Sequence, residues 1–169
     1  MKLQQRTSSR GFTLLEFVIV ITLTAALAAI ALPKLTDVGA DAHAGAVDGT
    51  YGAFVVGVNL ARVHWVAEGM RLDVDDLEGF GEGNVNVSDD GWPVGVSGDG
   101  NSSNMTAFRC VEVWRAVLIE QAPSVAVDPG AEYHVTTADS NTCRYAYQGS
   151  DHAALGFNYD ASTGLVNKF

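Results

Sequence analysis

Arg10-Gly11-Phe12-Thr13-Leu14-Leu15-Glu16-Phe17 is the stretch whose reading decides the fold. It joins a short basic leader, with Lys2, Arg6 and Arg10, to an apolar run of 21 residues, Phe12–Leu32. That run holds one carboxylate and neither glycine nor proline. As a helix rising 1.5 Å per residue it covers about 31 Å, the hydrocarbon thickness of a bilayer. An ordinary secretory signal places its small-residue cleavage site after the apolar core. Here the small residue, Gly11, comes before it, so a cut at Gly11 leaves the apolar arm on the mature chain.

The junction Gly11-Phe12-Thr13-Leu14-Leu15-Glu16, followed by a full span and then Pro33, resembles the processing site of type IV pilins and the related secretion pseudopilins. The resemblance implies an α+β fold in which a long N-terminal helix packs on a small C-terminal domain with a second helix and an antiparallel sheet. It also implies cleavage by a prepilin peptidase at Gly11–Phe12, N-methylation of Phe12, and assembly with identical or related subunits. Glu16 then has an assembly role, pairing with the Phe12 amine of a neighbour. Shorter stretches, Tyr51–Gly69, Gly91-Trp92-Pro93-Val94-Gly95 and Cys110-Val111-Glu112-Val113-Trp114, are similar to those of minor pilins of the mannose-sensitive haemagglutinin (MSHA) type. A secretion pseudopilin, or a single-span protein with an external binding domain, remains the alternative.

Charge gives the orientation. Three basic residues precede the apolar run, whereas Lys34 is followed by Asp37, Asp41 and Asp48, so the positive-inside rule keeps the leader cytoplasmic and exports the domain. The expected course is an inner-membrane precursor with a periplasmic domain, then an extracellular filament. Losing the leader's three basic residues leaves seven against 20 acidic ones, a net charge of −13. No Lys/Arg cluster survives to neutralise phosphates, so direct nucleic-acid binding is not expected. In an exported domain the two cysteines, Cys110 and Cys143, are expected to form a disulfide.

The expected organisation is a leader at 1–11, a membrane or filament-core helix at 12–33, an amphipathic half at 34–68 and a globular domain at 69–169. Pro33 is expected to kink the helix without ending it. Leu35, Val38, Ala42, Ala46, Gly49, Ala53, Val56, Leu60, Val63 and Ala67 recur at steps of three or four and predict the stripe that faces the domain. Gly69 is expected to stop the helix. Residues 72–104 read as a long packed loop with one short strand, stapled by Phe80 and Trp92. A second helix is expected over Met105–Gln121, capped by Ser103 or Asn104, with Phe108, Val111, Trp114, Val117 and Leu118 on one face. Four strands follow as an antiparallel meander: Glu132–Thr136, Cys143–Gln148, Ala153–Tyr159 and Gly164–Lys168.

Chemistry-bearing patterns are few. Asp99, Asn101 and Ser103 space oxygen ligands like the front half of a calcium loop, but Cys110 stands where an EF-hand needs its bidentate glutamate. Asp73, Asp75, Asp76, Glu78 and Glu82 read as a solvated acidic face. His43, His64, His134 and His152 are far apart and none starts an HExxH. Gly95-Val96-Ser97-Gly98 is followed by Asp99, where a nucleophile elbow needs glycine. Neither an enzyme nor a cofactor is expected, and Tyr51, Phe54, Trp65 and Trp114 are read as packing residues.

Overall fold

The computed structural model describes residues 12–101, 104–118, 122–149 and 154–169, and of residues 35–37 the helical backbone alone. The leader with Gly11, and Ser103, Gln121, His152 and Ala153, lie outside the described residues. Two compact units divide the chain between Gly39 and Ala40. Helix α1, Leu14–Ala67, contributes to both, with Pro33 inside it.

In the first unit α1 starts where Thr13 caps it. The Glu16 N–H donates to Thr13 Oγ1 at 3.2 Å and the Phe17 N–H to Thr13 O at 3.2 Å. Side chains from Phe12 to Lys34 are exposed. The hydroxyls inside this apolar stretch are satisfied by the helix itself: Thr22 Oγ1 donates to Val18 O at 3.0 Å and Thr24 Oγ1 to Val20 O at 2.7 Å. Such back-bonding removes the cost of carrying a hydroxyl through an apolar medium.

The second unit uses the rest of α1 as one wall of its core. Val47, Thr50, Phe54, Val58, Ala61 and Trp65 are buried, at steps of three and four. The helix ends in a Schellman motif: the Met70 N–H reaches Trp65 O at 3.2 Å, the Gly69 N–H reaches Val66 O at 3.0 Å, and Gly69 sits at φ +72. This corrects the expected stripe. Val56, Leu60 and Val63 are more than half exposed, and so is Val38 in the first unit. Both faces of α1 are apolar, and periodicity alone cannot say which of them has a partner. The face that packs carries the bulky Phe54 and Trp65.

Helix α2, Ala107–Val117, is shorter than the expected Met105–Gln121. Its cap is Thr106, whose side chain accepts the Arg109 N–H at 3.3 Å, in place of Ser103 or Asn104. Phe108 also departs from expectation, 73% exposed, while Arg109 is buried at 8%. Between the helices, β1 (Asn86–Val87) and β2 (Pro93–Gly95) form an antiparallel pair, one strand more than expected. Val85 and Val87 pack with Ala61, Trp65 and Leu77 as a small second core, which Phe80 flanks. Trp92 belongs to the main core, with Arg62 stacked 4.3 Å from its ring centroid.

The main sheet runs in sequence order: β3 (Val125–Ala126), β4 (Tyr133–Thr137), β5 (Thr142–Tyr147), β6 (Gly156–Asp160) and β7 (Val166–Lys168). Strands β4–β7 form the antiparallel meander that alternation predicts. Edge strand β3 pairs in parallel with β4 and was not expected, because two residues carry too little alternation to register. Tyr133, Val135, Cys143, Tyr145, Phe157 and Tyr159 point inward. Phe54 sits among them, its ring centroid 5.2 Å from those of Tyr145 and Phe157, 5.5 Å from Tyr159 and 6.0 Å from Trp114.

Candidate functional site

The N-terminal arm is the first candidate. Phe12 and Glu16 are one turn apart by sequence, and both are exposed. Thr13-x-x-Glu16 has the spacing of a capping box, and the Thr13 half of it is made, by the Glu16 N–H on Thr13 Oγ1. Among the described residues one helix, α1, is long and apolar enough to cross a membrane. Glu16 lies in the first turn of α1, and a lone carboxylate in such a span costs about 2.5–3.5 kcal/mol at mid-bilayer and less near an end. What this arm can do is chemical only in the weakest sense: it offers an apolar cylinder and one acidic oxygen pair.

The cysteines are brought together. Cys110 on α2 and Cys143 on β5 form a disulfide with Cα atoms 5.6 Å apart, and both are fully buried. Beside it, Tyr145 Oη donates to Cys110 O at 2.8 Å. Helix and sheet are thus joined covalently at the centre of the core. Burial raises the Tyr145 hydroxyl well above its ordinary pKa of 10, and burial, with Tyr145 and Asp160 adding to it, does the same to Tyr159.

Asp99 and Asn101, the calcium candidates, lie around Arg109. The Arg109 Nε–H donates to Val94 O at 3.0 Å, and Nη1 donates to Asn101 O and Asn104 O, each at 3.2 Å. Nη2 donates to Asp99 O, and the Asp99 carboxylate stands 3.6 Å from Nη1. One turn on, Glu112 takes the complementary groups: its carboxylate accepts from Val96 N at 3.1 Å, Ser97 N at 3.2 Å and Ser97 Oγ at 2.6 Å. Sequence reasoning missed both residues. The available signal was Arg109 falling on the buried periodicity of a helix, where a charge must be committed to partners.

The other candidates stay apart. Asp73, Asp75, Asp76, Glu78 and Glu82 are exposed, and among the described residues no three His, Cys, Asp or Glu side chains converge as a metal set. His43 Nδ1 lies 2.9 Å from Tyr147 Oη, whereas His64 Nε2 meets Glu78 O at 2.7 Å. Each ties α1 to its own domain.

A long apolar N-terminal helix, a second helix and an antiparallel sheet in an α+β domain make a pilin-like architecture. Residues 6–32 match the family model described as the prokaryotic N-terminal methylation motif, which supports a protein of the type IV pilin or pseudopilin kind. No match was found among curated proteins or among solved structures.

Proposed function

We propose that this chain is a non-enzymatic structural subunit of a type IV pilus, of the minor, MSHA-like kind, that joins a surface filament used for attachment. In this reading a prepilin peptidase cuts Gly11–Phe12 and Phe12 is N-methylated, which keeps its amine basic. The precursor waits in the inner membrane, domain outward. On assembly Phe12–Leu32 exchanges lipid for neighbouring helices of similar polarity, so packing decides the geometry more than any hydrophobic gain. A carboxylate buried there without a partner would be expensive, and the Phe12 ammonium of the next subunit supplies one. Such a pair disfavours wrong axial offsets, acting on register more than on stability.

The observation that carries this reading is the methylation-motif match over residues 6–32, coinciding with an exposed apolar helix that begins one residue after Thr13. Mass spectrometry of sheared surface filaments tests it. The expected N-terminal peptide begins with N-methylated Phe12, and Glu16→Ala should preserve cleavage while lowering incorporation. Filaments lacking this chain, or containing it with residues 1–11 retained, refute the proposal. Gly-Trp-Pro turns such as Gly91-Trp92-Pro93 also occur in secretion pseudopilins, which keeps a type II secretion pseudopilus as the second reading. Processed chain confined to the cell envelope would favour it.

A further inference from the structure

The segment between β2 and α2 needs a source of order. It is rich in glycine and short polar residues, and among its described residues several carbonyls are held by side chains. Those of Asp99, Asn101 and Asn104, with that of Val94 on β2, all accept from the one guanidinium of Arg109. Gly98 O is held separately, by Asn86 Nδ2 at 2.9 Å. A guanidinium has five N–H groups in a fixed planar fork, and here four carbonyls and a nearby carboxylate occupy its rim. The charge is buried while its acidic neighbour is not: the Arg109 side chain is 10% exposed and that of Asp99 71%. Glu112, three residues on, is committed to the amides of Val96 and Ser97. Two side chains of α2 therefore divide the loop between them, the cation taking carbonyls and the anion taking amides.

We propose that the Arg109 guanidinium is the built-in cation of this loop, filling the place an oxygen-lined turn would otherwise give to a divalent metal ion. The loop is then ordered by a covalently attached, charged donor fork and does not depend on metal. Calcium takes six to eight oxygens, with several carboxylates to balance its charge. Here the oxygens already face a positive group, and the neighbouring Glu112 carboxylate is engaged elsewhere. A dication entering among the same carbonyls would displace the guanidinium's hydrogen bonds and sit beside a like charge. Asp99 and Asn101 thus meet Arg109 through their backbone carbonyls.

The test is hydrogen exchange on the full chain in detergent micelles, reading the Val96 and Ser97 amides with millimolar calcium and with EDTA. Wild-type protection should agree between the two conditions within about twofold. Arg109→Gln should lower that protection about tenfold or more, the loss expected when hydrogen bonds to a charged group are removed, while β5 amides keep theirs. Arg109→Lys keeps the charge but loses the fork and should lose protection too. Wild-type protection in the lysine variant overturns the proposal, as does calcium-induced protection beyond twofold in the unaltered chain. Should the glutamine variant not fold, those two measurements still decide.

Discussion

A methyl group added at Gly57 should destabilise the domain, whereas the same methyl at Gly49, two turns earlier on the same helix, should stabilise it. Glycine in a helix interior costs about 1 kcal/mol relative to alanine, so propensity alone predicts a gain at both sites. The surroundings differ. At Gly49 a Cβ meets nothing within 4 Å. At Gly57 it would lie 2.4 Å from Val117 O, 2.9 Å from Val117 Cβ and 3.0 Å from Val117 C. These are atoms at the end of α2, most of them backbone, so no side-chain rotation relieves the clash. The two helices must part by about 1 Å over a close-packed core, and overpacking of that kind costs about 1–3 kcal/mol. Backbone cannot yield as a side chain can, so the upper part of that range, about 2–3 kcal/mol, applies, and the net loss at Gly57 is about 1–2 kcal/mol. For a domain of this size that is a fall of roughly 2–8 °C in Tm, against a rise of about 2–4 °C for Gly49→Ala. Thermal unfolding of the detergent-solubilised chain, followed by circular dichroism, measures both. A Gly57→Ala variant melting at or above the wild-type temperature would refute the close α1–α2 crossing.

Replacing both Cys110 and Cys143 with alanine should lower stability by about 4 kcal/mol in the chain-entropy model, given a sequence separation of 33. Urea unfolding reads this, and a loss below about 1 kcal/mol would mean that the bridge constrains little. Alkali should unfold the domain through its buried tyrosines. Burial raises the Tyr145 and Tyr159 hydroxyls, so the native state favours their neutral form. Their contribution is intact below the unfolded-state pKa near 10 and is lost as pH rises beyond it toward the folded values. Tyrosinate absorbance should therefore rise in two steps, the second coinciding with loss of native circular dichroism. A single step near pH 10, with all five tyrosines titrating in a folded protein, would contradict this.

Where local chemistry dictates geometry, the sequence was legible. The 21-residue apolar run, Gly69 as helix stop and the four alternating strands β4–β7 are each written in a few neighbouring residues. The Cys110–Cys143 bridge followed from compartment logic. Features set by distant contacts were not legible. Strand β3 exists because Ser124 and Glu132 clasp one another, Ser124 N to Glu132 Oε2 at 3.0 Å and Glu132 N to Ser124 Oγ at 3.0 Å. The start of α2 depends on which of several polar residues turns its side chain onto a first-turn amide, and Thr106 does. Arg109 reads as a surface charge until the carbonyls of a loop eight residues upstream are placed around it.

The two faces of α1 explain both the misread stripe and the placing of its glycines. The inner face carries Phe54 and Trp65, which fill volume and need the domain. Gly57 belongs with them, since only glycine admits Val117 so closely. Gly45, Gly49 and Gly52 have no such reason, because open space lies where their Cβ atoms would stand. Each weakens the helix by about 0.5–1 kcal/mol without easing any contact in its own domain. The exposed Val56, Leu60 and Val63 are likewise unaccounted for by the domain's own core. In the filament reading both features have one cause: the outer side of α1 is kept slim and apolar because neighbouring helices must approach it. The stability lost at those glycines is then the local cost of a surface completed only on assembly, which is why Gly49→Ala should raise the melting temperature of the isolated chain without being expected to improve its filaments.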